Sequence, residues 1–254
     1  MFKLFLFNCL LISIIVIILI VIKRNVKEGK TQNLILLISS IITILFHYSS
    51  FIFKLFFKVD SITYLNNNPN LILPIYPCNV VMWCCLIFGL LKNKSTKFSK
   101  FLIDYIFWFG IFSTLVGMFA NVDFINNPTL LDYEITKSIA AHATLLLNVL
   151  LLPLFGYIKI DFKRNMLNMI LAVIVMYAIG VYCNLIFEVL VSYEKAFDVN
   201  SMFIIHSPFD GLNFLKYPFI ASIALILYFV VFTICEIITK EKEEVWYNKL
   251  FIKK

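Results

Sequence analysis

Seven apolar stretches run along the chain, near residues 4–22, 33–57, 72–91, 101–120, 137–158, 166–191 and 217–238. Each is long enough to cross a hydrocarbon core about 30 Å thick, at about 1.5 Å of rise per helical residue. The strict alternation of apolar and polar positions that a membrane barrel needs is absent, and no internal repeat stands out. The polar segments between the stretches are short, and none is long enough for a separate soluble domain. The pattern predicts an all-α fold, a polytopic transmembrane helical bundle of about seven spans, with residues 1–254 forming a single transmembrane domain.

Composition strengthens that reading. Apolar residues make up 61% of the 254 positions and charged residues only 15%, with a mean hydropathy of +0.92. A soluble domain sits nearer half apolar and a quarter charged, so lipid must cover the exterior here. The excess of 22 Lys and Arg over 15 Asp and Glu could point to an acidic partner. In a polytopic chain it is better read as a topology signal, and no nucleic-acid partner is expected. The cations cluster at alternate connections. Lys23, Arg24, Lys27 and Lys30 follow the first span, Lys92, Lys94, Lys97 and Lys100 the third, and Lys159, Lys163 and Arg164 the fifth. Lys240, Lys242, Lys249, Lys253 and Lys254 lie in the tail. By the positive-inside rule these segments face the cytoplasm, which puts the amino terminus outside and the carboxyl terminus inside a multi-pass cell-membrane protein.

The six cysteines, Cys9, Cys78, Cys84, Cys85, Cys183 and Cys235, form no Cys-x-x-Cys pair, so neither a zinc site nor a disulfide framework is expected. Three histidines occur singly, and no metal or cofactor is expected. Asn8 precedes Cys9 where a lipoprotein signal wants a small residue, so residues 4–22 read as a retained span.

Candidate chemistry follows from depth. Cys78 falls roughly 9 Å inside the outer end of the third span, His142 roughly 8–10 Å inside the fifth, and Asn184 about 12 Å inside the sixth. His47 sits deeper in the second span, at about 15 Å. Polar groups in lipid are costly and commonly mark a site or a packing contact. Cys78 also follows Pro77, a residue favoured in the first turn of a helix, where free backbone donors and the positive end of the dipole would activate a thiol and hold an oxyanion. His142 could serve it as acid and base. The bland alternative is that a membrane cysteine is a small inert residue, which suits Cys84, Cys85, Cys183 and Cys235. Asn184 could equally bond a neighbouring helix. Asn79, His206 and Asp210 are supporting or substrate-binding candidates, the last two in the outer loop 192–216.

The same residues resemble a known family. Leu73-Pro74-Ile75-Tyr76-Pro77-Cys78 is similar to the opening of the third span in the YwaF-like bacterial integral membrane proteins, close to Pro-Leu-His-Leu-Cys. Tyr105, Phe107, Trp108, Gly110, Ser113 and Thr114 resemble that family's aromatic-Trp-Gly segment in span four. His142, the run Tyr177, Gly180, Asn184, and Ser207-Pro208-Phe209-Asp210-Gly211 also match in order over about residues 70–235. The family's histidine before the cysteine is Tyr76 or Pro77 here, and its aromatic start to span five is replaced by Ile135-Thr136-Lys137-Ser138.

That family looks related to the transmembrane protein 164 acyltransferases. The resemblance implies a cysteine-dependent phospholipid acyltransferase, or a lipid acyl hydrolase, with Cys78 as the thioester-forming nucleophile and His142 as acid and base. Phospholipid is the implied substrate, with a second lipid or a lipoprotein amine as acceptor. The alternative is a non-enzymatic membrane protein, such as a transporter, a receptor-like binder or a structural subunit. Against a transporter, the ionisable residues Lys54, Asp104 and Glu188 lie near span ends rather than at mid-membrane.

Overall fold

The computed structural model describes residues 2–56, 67–119, 129–208 and 211–248. These residues form helices and short turns, with no strand among them. Among the described residues six helices are long and apolar enough to cross a membrane: α1 (Phe2–Asn25), α2 (Gly29–Phe56), α4 (Lys97–Phe119), α5 (Tyr133–Leu154), α6 (Phe162–Leu190) and α8 (Tyr217–Thr239). A short helix, α7 (Tyr193–Val199), lies in the loop before α8.

The seventh expected span differs. The stretch 72–91 supplies α3 (Pro77–Leu90), only 14 residues long, or about 21 Å at helical rise. Its start is set by backbone chemistry rather than hydropathy. Pro77 has no N–H to give and forces Tyr76 out of the helical region, to φ −122° and ψ 154°. Upstream, Pro69–Leu71 forms a tight 3-10 turn instead of another helical turn. At the other end Leu91 turns extended, and the Lys94 ammonium donates to the carbonyls of Phe88 at 2.8 Å and Leu91 at 2.9 Å. A cation there satisfies orphan carbonyls and opposes the helix dipole.

The chain divides into two compact units, residues 1–158 and 159–254. In the first, α2 and α5 run antiparallel and are joined along their length by polar side chains. Tyr133 donates to Ser49 Oγ at 2.9 Å near one end, and Tyr157, just past α5, donates to Asn33 Oδ1 at 3.1 Å near the other. Between them Asn148 is fully enclosed. Its Oδ1 accepts from Ser39 at 2.5 Å and Ser40 at 3.3 Å, and its Nδ2 donates to Thr43 Oγ1 at 3.0 Å. Such bonds average about 0.6 kcal/mol each between membrane helices, so several in series are needed to fix a register.

Glycines bring the other helices close. A Cβ on Gly89 of α3 would stand 3.1 Å from the Leu37 backbone of α2. One on Gly110 of α4 would stand 2.5 Å from Val149 of α5 and 3.2 Å from Val81 of α3. Just before Gly110, residues Tyr105–Phe109 form a π-helical turn within α4, a feature frequent at functional sites. On α1, Ile15 packs with Met118, Ala143 and Leu146, and Asn8 Nδ2 donates to the Met118 carbonyl at 2.6 Å.

In the second unit α6 pairs with α8, and Tyr217 donates its hydroxyl to the Val173 carbonyl at 2.6 Å. Glu236 of α8 is buried and serves as a junction. It accepts from Phe162 N at 2.7 Å, Lys240 Nζ at 2.6 Å and Trp246 N at 2.9 Å. The Trp246 ring stacks on Phe162 at 4.5 Å, which folds the segment after α8 back against the start of α6.

Candidate functional site

Cys78 is the second residue of α3, directly behind Pro77 at the first helical position. The first backbone donors of a helix have no partner inside it, and the amides of Cys78 and Asn79 face the thiol. As a residue Cys78 is partly buried. Asn79, a sequence candidate for substrate binding, is buried and occupied with local structure. Its Oδ1 accepts from the Tyr76 backbone N–H at 3.2 Å, closing one side of a capping arrangement at the turn that presents Cys78.

His142 projects from α5 with Nδ1 2.8 Å from the Ser138 carbonyl one turn earlier. A carbonyl only accepts, so Nδ1 carries the proton and Nε2 of the neutral ring keeps its lone pair. The ring lies against Gly117 of α4, where a Cβ would overlap Nε2. Only glycine leaves room for the imidazole at that position. Gly117 carries no functional group, so its role has no signal in composition or polarity.

The packing relates the two residues in depth. Gly110 touches both Val81 and Val149, which therefore share a level. Counting along α3 and α5 toward the Tyr133 end places Cys78 about 4.5 Å and His142 about 10.5 Å above that level. Their separation in depth is thus about 6 Å, close to one helical turn. Among the described residues no hydrogen bond joins the thiol to the imidazole.

His47 belongs to the same unit. Its Nε2 donates to the Asn70 carbonyl at 3.2 Å, which ties α2 to the turn that leads into α3. His47 also lies within electrostatic reach of both His142 and Lys137. Its T-shaped contact with Tyr48 at 4.9 Å, and that of Tyr48 with Trp83 at 6.3 Å, line this end with aromatic rings.

Asn184 and His206 lie in the second unit and hold its loop. Asn184 Oδ1 accepts from Ser201 N at 2.8 Å and its Nδ2 donates to Ser201 O at 3.4 Å. His206 Nε2 donates to the Phe197 carbonyl at 3.0 Å, and Nδ1 faces Asn200 Nδ2 at 3.2 Å. The loop needs such ties, because Asn200, Met202 and Phe203 have φ of 43°, 55° and 57°, a region disfavoured for residues with a Cβ. Asp210 lies outside the described residues.

A groove of about 330 Å³ in the second unit is lined by Val173, Ile174, Tyr177, Tyr217, Ala221 and Ser222 among others. It offers no catalytic group, since Tyr217 is engaged with Val173 and Ser222 donates to the Pro218 carbonyl at 2.7 Å. Among the described residues no three His, Cys, Asp or Glu side chains gather as a metal site.

The sequence model described as the TMEM164 family matches residues 2–236. No curated protein and no solved structure matches the chain.

Proposed function

The chain belongs to the TMEM164 family, and on that premise we propose that it is a membrane-embedded acyltransferase, or lipid acyl hydrolase, working through a Cys78 thioester. The observation that carries the reading is the placement of Cys78 in the first turn of α3, behind Pro77 and with the backbone amides of Cys78 and Asn79 beside its thiol. His142, with its proton held at Nδ1 by the Ser138 carbonyl, lies in the same unit and is the base this reading calls on.

The reaction runs in two halves. His142 Nε2 takes the thiol proton through a bridging water, since general bases act directly or across one water. The thiolate attacks the ester carbonyl of a phospholipid. The tetrahedral oxyanion is held by the Cys78 amide at the positive end of α3. The carbon–oxygen bond to the lysolipid breaks, and His142 returns its proton to the leaving alkoxide. The thioester then passes its acyl group to a lipid hydroxyl, a lipoprotein amine or water, with His142 accepting the acceptor's proton. The basic clusters support an orientation with this end of the unit in the outer leaflet.

Purified protein incubated with acyl-labelled phospholipid tests the reading. Wild type acquires hydroxylamine-sensitive label, Cys78→Ser acquires none, His142→Ala turns over no lipid, and Cys84→Ser behaves as wild type. Label persisting on Cys78→Ser would place the nucleophile elsewhere. No label on any variant across a broad lipid panel favours the non-enzymatic binder or structural subunit. For orientation, a cysteine introduced in loop 121–134 reacts with an impermeant reagent in intact cells while one in 92–100 is protected. The inverse pattern overturns the outer-leaflet placement.

A further inference from the structure

Asn8 stands in the apolar run of α1 and is enclosed, only 1% exposed. Its Nδ2 donates to the Met118 carbonyl of α4 at 2.6 Å. Exchanging the oxygen and nitrogen of the amide would set two acceptors face to face, so this orientation is fixed. The other half of the amide is then a buried oxygen with no hydrogen-bond partner among the described residues. A side chain that only tied α1 to α4 would strand that oxygen, which is costly in an interior surrounded by lipid. Its position says what it serves. Asn8 meets α4 at Met118, and the His142 ring meets α4 at the preceding residue, Gly117. Packing along α1 and α5 agrees, because the two helices ascend together. Leu4 clusters with Ile135 and Ile139, and Ile15 with Ala143 and Leu146. Asn8 lies between Leu4 and Ile15, which puts it within about one turn of His142 in level. Ile139 and Leu146 flank His142 on one stripe of α5, so the imidazole sits on the face next to α1.

We propose that Asn8 is a positioning residue for His142, its Oδ1 accepting the Nε2–H that the imidazole carries once it has taken the thiol proton. The proposal rests on the acyl-transfer reading for the step it serves. Nδ1 is already committed to the Ser138 carbonyl at 2.8 Å. The proton leaving Cys78 Sγ therefore arrives at Nε2, and the ring becomes an imidazolium with two donors. Before that transfer Nε2 and Asn8 Oδ1 are both acceptors, and one water donating a hydrogen to each satisfies them. After it, Nε2–H has Oδ1 as its acceptor, directly or across that water. Asn8 itself gains and loses no proton. A hydrogen bond from a charged donor is stronger than one between neutral groups, so the contact favours the thiolate–imidazolium pair over the resting one. An interaction raises the rate in this way only if it grows as the reaction proceeds. With Ser138 at one nitrogen and Asn8 at the other, the ring plane is held while the proton moves on to the lysolipid alkoxide.

Nitrogen-15 histidine NMR of the full-length chain in lipid nanodiscs tests the contact without turnover, with His142→Gln assigning the signals. With the ring protonated, the wild-type Nε2–H proton resonates downfield as a bonded donor. Asn8→Leu moves it upfield and leaves Nδ1–H in place. Acyl labelling of Cys78 supplies the second readout. Asn8→Leu nearly keeps the side-chain shape and slows single-turnover labelling about tenfold, the factor for one charge-assisted hydrogen bond, with half-saturation by lipid unchanged. Asn8→Asp separates the two halves of the amide, because an ionised carboxylate keeps an acceptor and loses the donor to Met118. It labels faster than Asn8→Leu although its melting temperature falls with the lost tie. A purely structural tie between α1 and α4 predicts Asp and Leu equally slow and the Nε2–H signal unmoved, and that result overturns the proposal. Should Asn8→Leu fail to fold, Asn8→Asp decides, since labelling lost from a folded Asn8→Asp protein overturns it as well. The two readings fail separately. A shifted Nε2–H signal with no acyl label on wild type removes the thioester chemistry and leaves the contact, and label with an unmoved signal does the reverse.

Discussion

The two units differ in their most enclosed helices. In residues 1–158, α4 and α5 enclose 50% and 56% of their most apolar windows and α1 and α2 only 11% and 28%, whereas in residues 159–254 α6 and α8 enclose 33% and 11%. The first unit has interior enough to shield polar groups, and it uses that interior for Asn148, His142 and the half-buried Cys78. The second unit, taken by itself, is a helix pair with lipid-facing walls, and its polar residues serve its ends. Glu236 gathers three donors at one end, and Asn184 and Asn200 tie down a left-handed loop at the other. Chemistry that must exclude water belongs in the first arrangement, because only there do protein dipoles replace solvent around a charged intermediate.

The comparison is broken most severely at the second unit's junction. Glu236→Ala removes the acceptor for two backbone N–H groups and one ammonium at a buried position, a loss of about 3 kcal/mol. Limited proteolysis checks it, with cleavage at Lys242 expected to accelerate as the segment carrying Trp246 comes free. An unchanged digestion pattern means that the Trp246–Phe162 stack holds the tail alone. Next in size is the first unit's tight contact. Gly117→Ala places a methyl on the imidazole and shifts His142, which on the proposed thioester reading should cost about 10²-fold in acyl labelling of Cys78, as misplacement by an ångström commonly does. Gly180→Ala is the control, since a Cβ there meets only the Met202 and Ile204 side chains, at 2.5 Å and beyond. Equal losses in both variants would erase the functional distinction between the units. A smaller effect, about 1–2 kcal/mol in thermal unfolding, is expected for Asn148→Ala, which strands the hydroxyls of Ser39 and Thr43. If Asn184→Ala lowers the melting temperature as much, the second unit depends on interior polar ties as well.

These contrasts show which features could be read from the sequence. Hydropathy alone located all the spanning helices, because lipid imposes a length and an apolarity that no soluble element needs. Pro77 announced a helix start, and the helix begins there. The same signal missed the shortness of α3, since an apolar run of 72–91 counts toward a span even where Pro74 and Pro77 prevent helix. Asn79 was legible as a polar residue beside a cysteine, but its capping bond to Tyr76 depends on a local turn that polarity does not specify. Asn148 escaped notice because attention to one depth passes over a residue nearer the other end of α5. Gly117 was illegible for a simpler reason. Its contribution is the absence of a side chain, and what fills that space comes from another helix.

The smallest expected effect separates two roles of one residue. Lys94 belongs to a cationic cluster that orients the chain, yet its ammonium also caps α3 through Phe88 O and Leu91 O and stands 4.6 Å over the Phe88 ring. Lys92 shares the cluster but caps no helix among the described residues, so the pair distinguishes topology from capping. A cation at a helix C-terminus contributes about 0.3–1 kcal/mol when partly exposed, and a shallow cation–π contact adds about 0.5. Lys94→Gln should therefore destabilise the first unit by roughly 0.5–1 kcal/mol, read as a fall in melting temperature, while Lys92→Gln leaves it unchanged. Because the second unit has no part in that cap, proteolysis at Lys242 should stay at the wild-type rate in both variants. Topology is buffered by the remaining lysines at 97 and 100, so a cysteine in loop 92–100 should stay protected from impermeant reagent in either variant. Equal destabilisation by both substitutions would mean that cluster charge, rather than the two carbonyl bonds, supports α3. The cap would then be incidental to the short helix that presents Cys78.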